Sequence, residues 1–244
     1  MILEVCVDNL DSALLAEKGG AARLELCSAL ELGGLTPSIG LFLEVKRTVQ
    51  IPVFCMLRPR SGDFCYSKSE VSCMKSDLEQ FLKFGADGFV FGMLTNECHI
   101  DVASCKVLLE LISPTGCQST FHRAFDFISP QIPSFEKVQL LKEIGFHRIL
   151  TSGGGSEVGS NLEKLSDLLL ISKDTDIIIL PGGGVNNNNV NTLKNLGFYE
   201  LHSSCSKYKT ENEYGSLFNS LLPKGSRKTV CFEKVKQLIS SFRE

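Results

Sequence analysis

The stretch from Ser119 to Asp126, Ser-Thr-Phe-His-Arg-Ala-Phe-Asp, places His122, Arg123 and Asp126 at the end of a short apolar run. An imidazole, a guanidinium and a carboxylate in that position are parts for moving a proton and for holding an anion. Four other runs carry comparable groups. Glu4 and Cys6 lie within Ile2 to Val7, and Glu25 and Cys27 within Arg23 to Cys27. Arg58 follows Ile51 to Leu57, and Glu200 and His202 fall within Tyr199 to Ser203. Thiols of this kind suit soft metal ions, or nucleophilic chemistry when they are deprotonated. Two glycine-rich turns, Thr151-Ser152-Gly153-Gly154-Gly155 and Pro181-Gly182-Gly183-Gly184-Val185, present backbone N–H groups that can converge on an anion. Neither is a Walker or Rossmann fingerprint, and triple glycine also serves simply as a tight turn.

The elements that would position these groups follow in a regular order. Asn9 to Lys18, Pro37-Ser38 through Val49, Ser67 to Phe84, Asp101 to Ile112, Pro133 to Ile144, Leu162 to Ser172, Asn186 to Leu196 and Phe232 to Phe242 have helical spacing, caps or both. Between them stand the strands already named, with Gly88 to Met93, Arg148 to Ser152 and Asp176 to Leu180. Eight strand-then-helix units without a linker predict an α/β fold, a single (β/α)8 TIM-barrel domain over residues 1–244, with an open doubly wound sheet as the second choice.

In a closed barrel the strands are apolar on both faces, so a charged residue inside one points into the solvent-reached lumen rather than at the helices. Glu4, Glu25, Arg58, His122, Glu200 and His202 are therefore expected to line the carboxyl-end mouth. Alternation puts Cys6 and Cys27 inward as well. Glu4, Glu25 and Glu200 would form an acidic arc with Arg58 as counter-charge. This arc is either an internal ion-pair layer or part of a working site.

Length and composition bound the answer. The 244 residues suit one barrel, and the net charge of −3 gives no pull toward nucleic acid or an anionic membrane. No apolar run approaches a membrane span. The start Met1-Ile2-Leu3-Glu4 enters a strand directly, so a cytoplasmic protein is expected, with the nucleus also open. Ten cysteines, none in a Cys-x-x-Cys pair, read as core filler unless they stand at strand ends.

Taken together, Glu4-Val5-Cys6, Arg23-Leu24-Glu25-Leu26-Cys27, Gly33-Gly34-Leu35-Thr36-Pro37-Ser38, Arg58-Pro59-Arg60-Ser61-Gly62-Asp63-Phe64 and Phe121-His122-Arg123-Ala124-Phe125-Asp126 resemble the CutC family of copper homeostasis proteins. Leu150-Thr151-Ser152-Gly153, Pro181-Gly182-Gly183-Gly184-Val185 and Glu200-Leu201-His202-Ser203-Ser204 extend the likeness, and Ala86 to Gly92 is similar to animal members. The resemblance implies a cytosolic TIM barrel, assembled as a homo-oligomer, that binds Cu(I) through thiols falling on Cys6 and Cys27. Ser61 stands where the family usually has glycine, and Cys205 to Val230 matches poorly. Two readings remain open. One is a soluble Cu(I)-binding protein. The other is a barrel enzyme for a small anionic or phosphorylated compound, with His122 as acid/base, Asp126 beside it and Arg58 and Arg60 as anion clamps. In that reading Glu4, Glu25, Ser152, Gly153, Gly183, Gly184, Glu200 and His202 complete the substrate pocket.

Overall fold

In the computed structural model, residues 2–208 and 228–243 are described. Most of the poorly matching segment, residues 209–227, lies outside them. Eight strands carry the barrel: β1 (Ile2–Val7), β2 (Arg23–Leu26), β3 (Val53–Met56), β4 (Gly88–Phe91), β5 (Gln118–Phe121), β6 (Arg148–Thr151), β7 (Ile178–Pro181) and β8 (Glu200–Ser203). Helices α1 (Leu10–Gly19), α2 (Ile39–Thr48), α3 (Lys68–Lys83), α4 (Val102–Ile112), α5 (Ser134–Ile144), α6 (Leu162–Thr175) and α7 (Val190–Leu196) alternate with them, and α8 (Phe232–Arg243) follows. All neighbouring strands pair in parallel, in the order β7-β6-β5-β4-β3-β2-β1-β8. The two ends of that ladder meet, since a Cβ built on Gly182 would lie 3.2 Å from the Cβ of His202. No ladder pairing joins β7 to β8 among the described residues, so the barrel is nearly closed rather than fully closed.

Local chemistry sets the element ends. The Asn9 side chain accepts the Ser12 N–H, Ser38 accepts that of Leu41, and Ser67 with Glu70 forms a reciprocal capping box. Outward strand residues such as Leu3, Val5, Leu24, Leu26 and Val53 are fully buried with Ala13, Phe42 and Leu78 of the helices. The inward positions hold the polar set.

Three elements differ from expectation. Strand β5 stops at Phe121, because the Nδ1 of His122 accepts the Ala124 N–H (3.2 Å) and opens a 3-10 turn over Arg123–Phe127. Helix α7 starts at Val190, not Asn186. The asparagines before it form a turn in which Asn186 and Asn189 both donate to the Gly184 carbonyl. An antiparallel pair, β9 (Ser206–Tyr208) and β10 (Lys228–Val230), flanks the mouth, with the Val230 N–H on the Ser12 hydroxyl.

Gly88 shows how tightly the lumen is filled. A Cβ there would stand 2.6–2.7 Å from the Phe54 ring, which lies beneath the guanidinium of Arg23 at 4.8 Å. Gly88→Ala is therefore expected to destabilise the protein by about 1–3 kcal/mol, through overpacking in a rigid strand. Urea unfolding measures this, and a change within about 0.5 kcal/mol would show that the lumen yields.

Candidate functional site

The inward side chains form three levels, from the floor of the barrel to its mouth. On the floor, Glu200 accepts from Arg23 Nη2 (2.8 Å) and from Arg148 Nε (2.8 Å), while Arg148 Nη1 donates to Gln118 (2.6 Å). Arg23 Nε also donates to Glu4. Both guanidiniums lie over Phe54. Glu4 and Glu200 thus belong to an internal ion-pair layer. Their counter-charges are Arg23 and Arg148, not Arg58 as expected, because Arg58 stands past the end of β3 and bonds loop carbonyls instead. Burial pushes the Glu4 carboxyl up, but Arg23 and His202 outweigh it and hold the group down at about 2.

On the middle level, Cys6, Glu25 and His202 come together. One donor atom from each lies within 4.8 Å of the other two. The register explains the grouping: Cys6 pairs with Glu25 across β1 and β2, and Glu4 with His202 across β1 and β8. His202 Nδ1 contacts Glu4 Oε1 at 2.7 Å, which turns its Nε2 toward Glu25 Oε2, 3.8 Å away. Burial disfavours the imidazolium, yet Glu25, Cys6 and Glu4 outweigh it and hold the His202 pKa well above the usual histidine range. Burial raises the Glu25 pKa.

The Cys27 thiol donates to Glu25 Oε2 at 3.5 Å. Its side chain packs with Phe54, Met56 and Val90, two residues higher in register than Cys6. Burial, then the charge on Glu25, pushes the Cys27 pKa far up. The two thiols therefore share a carboxylate neighbour without standing side by side in register.

On the upper level, the Arg58 guanidinium lies over the Phe64 ring, 5.0 Å from its centroid, and the His122 ring is tilted against the same ring at 4.9 Å. Arg58 donates to the carbonyls of Leu32 (2.9 Å), Gly34 (3.3 Å) and Gly62 (3.0 Å). Burial, reinforced by Arg58, lowers the His122 pKa to about 3. At neutral pH the ring is therefore uncharged. Gly92 leaves the space it occupies, since a Cβ there would stand 2.8 Å from His122 Nδ1.

Asp126 does not touch His122. It pairs with Arg123 (2.9 Å) and accepts from Thr151 Oγ1, the Ser152 hydroxyl (3.0 Å) and the Gly154 N–H (3.1 Å). The Gly153 N–H goes to Thr151 Oγ1 at 2.9 Å. The first glycine turn is therefore built around a carboxylate of the protein itself, and Ser152 and Gly153 present no free anion nest. Gly183 and Gly184 do line the mouth. Arg60 is not among the mouth-lining residues: it lies over Tyr66 and donates to Asp63, Glu70 and the Cys65 carbonyl, so it shapes the loop after β3. Cys6, Glu25, Arg58, His122 and His202 join the two glycines in lining a cavity of about 450 Å³, of a size that takes a small molecule, whereas Cys27 is not among its lining residues.

Sequence reasoning passed over Arg23 and Arg148, the charges that neutralise the floor. Each opens its strand and reads as a boundary residue. The usable signal was parity, because Arg23 stands two residues before Glu25, on the same face.

Comparisons with known proteins agree on one group. A family model described as the CutC family matches residues 1–207. The human protein named copper homeostasis protein cutC homolog is 42% identical over 226 residues, 92% of this chain and 80% of that protein. The mouse homolog is 45% identical over 205 residues, 84% and 73% of the two chains. The solved structure of CutC from Streptococcus agalactiae superposes with a TM-score of 0.75 at 30% identity, covering 84% of this chain and 98% of that one.

Proposed function

Since the chain belongs to the CutC family, we propose that it serves copper homeostasis by holding Cu(I) at the barrel mouth, with Cys6 and Cys27 as its sulfur ligands. The observation that carries this reading is the cluster of Cys6, Glu25 and His202, with the Cys27 thiol on the same carboxylate. Thiolate and imidazole donors suit soft Cu(I), whereas a carboxylate is a hard donor, so Glu25 stands beside the ligand set rather than in it. His202, aimed by Glu4, is the nitrogen donor in reach once it gives up its proton. The positive charge of Arg23, paired with Glu4, offsets part of the negative charge that two thiolates would bring.

Both sulfurs must be deprotonated to bind, so affinity falls as pH drops and protons compete for the same atoms. Anaerobic Cu(I) titration against a competing chelator tests the assignment. The Cys6→Ser, Cys27→Ser double variant, which keeps the other eight of the ten cysteines, is expected to lose the tight site, with a weakening of more than about 100-fold. Unchanged affinity and stoichiometry would place the site elsewhere.

A further inference from the structure

Arg58 and His122 are each buried, and each keeps one nitrogen without a partner. Arg58 is 6% exposed and His122 4%. The guanidinium donates to neutral carbonyls and has the neutral, buried Tyr66 hydroxyl beside it, and no carboxylate pairs with it among the described residues. Its Nε is buried with no hydrogen-bond partner. His122 Nδ1 accepts the Ala124 N–H, which fixes the remaining proton on Nε2, and that atom too is buried and unpartnered. Both residues line the mouth cavity, and both lean on Phe64. A buried cation without a counter-charge and a buried N–H without an acceptor are each costly, and one ligand would relieve both.

We propose that this wall of the cavity is a subsite for a small organic carboxylate, with one oxygen received by Arg58 Nε–H and the other by His122 Nε2–H. Two unpartnered donors match the two oxygens of a carboxylate, whereas inorganic phosphate presents four oxygens and would leave two without a donor from this pair. The Phe64 ring forms an apolar wall beside the bound group. Across the cavity, on the β1–β2–β8 side, Glu25 Oε1 is also buried and unpartnered. A carboxylate that carries a hydroxyl or ammonium group farther along its chain would satisfy that acceptor too. Asp8, Glu25 and Glu31 also line the cavity, so the carboxylate sits on the Arg58 side, away from them. The two donors belong to Arg58 and His122 rather than to the thiols, so the subsite does not depend on copper.

Metal-free, reduced protein with nitrogen-15-labelled histidine provides the test. Acetate, lactate, succinate and inorganic phosphate are titrated at constant ionic strength, with chloride as the reference. The expected result is a saturable shift of the His122 Nε2–H resonance with at least one carboxylate and none with phosphate. Calorimetry of the same carboxylate should show affinity falling about tenfold or more in Arg58→Gln and in His122→Asn. The second variant retains an acceptor for the Ala124 N–H, so it decides the matter even if Arg58→Gln fails to fold. Saturable phosphate binding in place of carboxylate, undiminished binding in His122→Asn, or no saturable response to any of the carboxylates would overturn the proposal.

Discussion

Glu200→Met is expected to destabilise the protein by about 3–5 kcal/mol, the usual effect of removing one partner from a buried ion pair. Glu200 is 2% exposed and accepts from both Arg23 and Arg148, so its loss leaves two buried guanidiniums short of charge. Arg148→Met should have a comparable effect, because it strands the carboxylate with Arg23 alone. The double variant removes the pair together and keeps the Arg23–Glu4–His202 chain. It should therefore be well short of the sum of the singles, by at least about 1.5 kcal/mol in a double-mutant cycle. Urea unfolding at pH 7 measures all three. Additive effects, or a near-neutral Glu200→Met, would mean that water reaches the floor of the barrel and supports these charges.

That floor bears on function through Glu4. The carboxylate is shared between Arg23 and His202, and its bond to Nδ1 sets which nitrogen of His202 faces Cys6 and Glu25. Glu200→Met should therefore leave the donor cluster in place, whereas Arg23→Met, which frees Glu4 to move, should disturb it.

Much of this arrangement was legible in the sequence through two regularities. Eight alternating units named the barrel, and period-two alternation named the inward faces, so Glu4, Glu25, Glu200 and His202 all point inward. Glu4 and Glu200, however, lie on the floor with Arg23 and Arg148 rather than at the carboxyl-end mouth. What alternation cannot supply is the height of one strand against the next. Cys6 stands level with Glu25 and not with Cys27, because the register of β1 and β2 is staggered as barrel closure demands. Alternation alone therefore gives no sign that a carboxylate, rather than the second thiol, stands at the level of Cys6. The destination of loop side chains was hidden for a different reason. Arg58 and Arg60 are two residues apart, yet one turns into the mouth and the other onto Tyr66, and nothing in their spacing distinguishes a lumen arginine from one that folds its own loop. Asp126 was read as a partner of His122 from proximity along the chain. Its real partners, Thr151, Ser152 and Gly154, are brought to it by the β5–β6 pairing.

The second large effect is acid sensitivity caused by His122. Its folded pKa of about 3 lies below the ordinary value of 6.5, because burial and the neighbouring Arg58 both disfavour the imidazolium. Between those two values the unfolded chain binds a proton that the folded chain does not, so stability falls as pH falls. The contribution is fully present above pH 6.5 and is lost at up to about 1.4 kcal/mol per pH unit, to a total of roughly 4–5 kcal/mol near pH 3. Other groups act in or near this window. His147, half-buried with a lowered pKa, adds a smaller slope of the same sign. Glu25, with a raised pKa, opposes it above the ordinary carboxylate range. Glu4, held at about 2, adds its own loss only below about pH 4.5. His202, with a raised pKa, acts above pH 6.5 and with the opposite dependence. A difference between two proteins isolates His122 from these. His122→Asn retains a side-chain acceptor for the Ala124 N–H but has nothing to titrate. Its stability, followed by urea unfolding from pH 7.5 to 4.5, should decline less steeply than that of the parent, by about one proton's worth of slope. The two curves should therefore converge as the pH is lowered. Parallel curves would show that His122 titrates alike in the folded and unfolded chains, which requires water or a bound anion at Nε2 where the structure places a buried, unpartnered nitrogen.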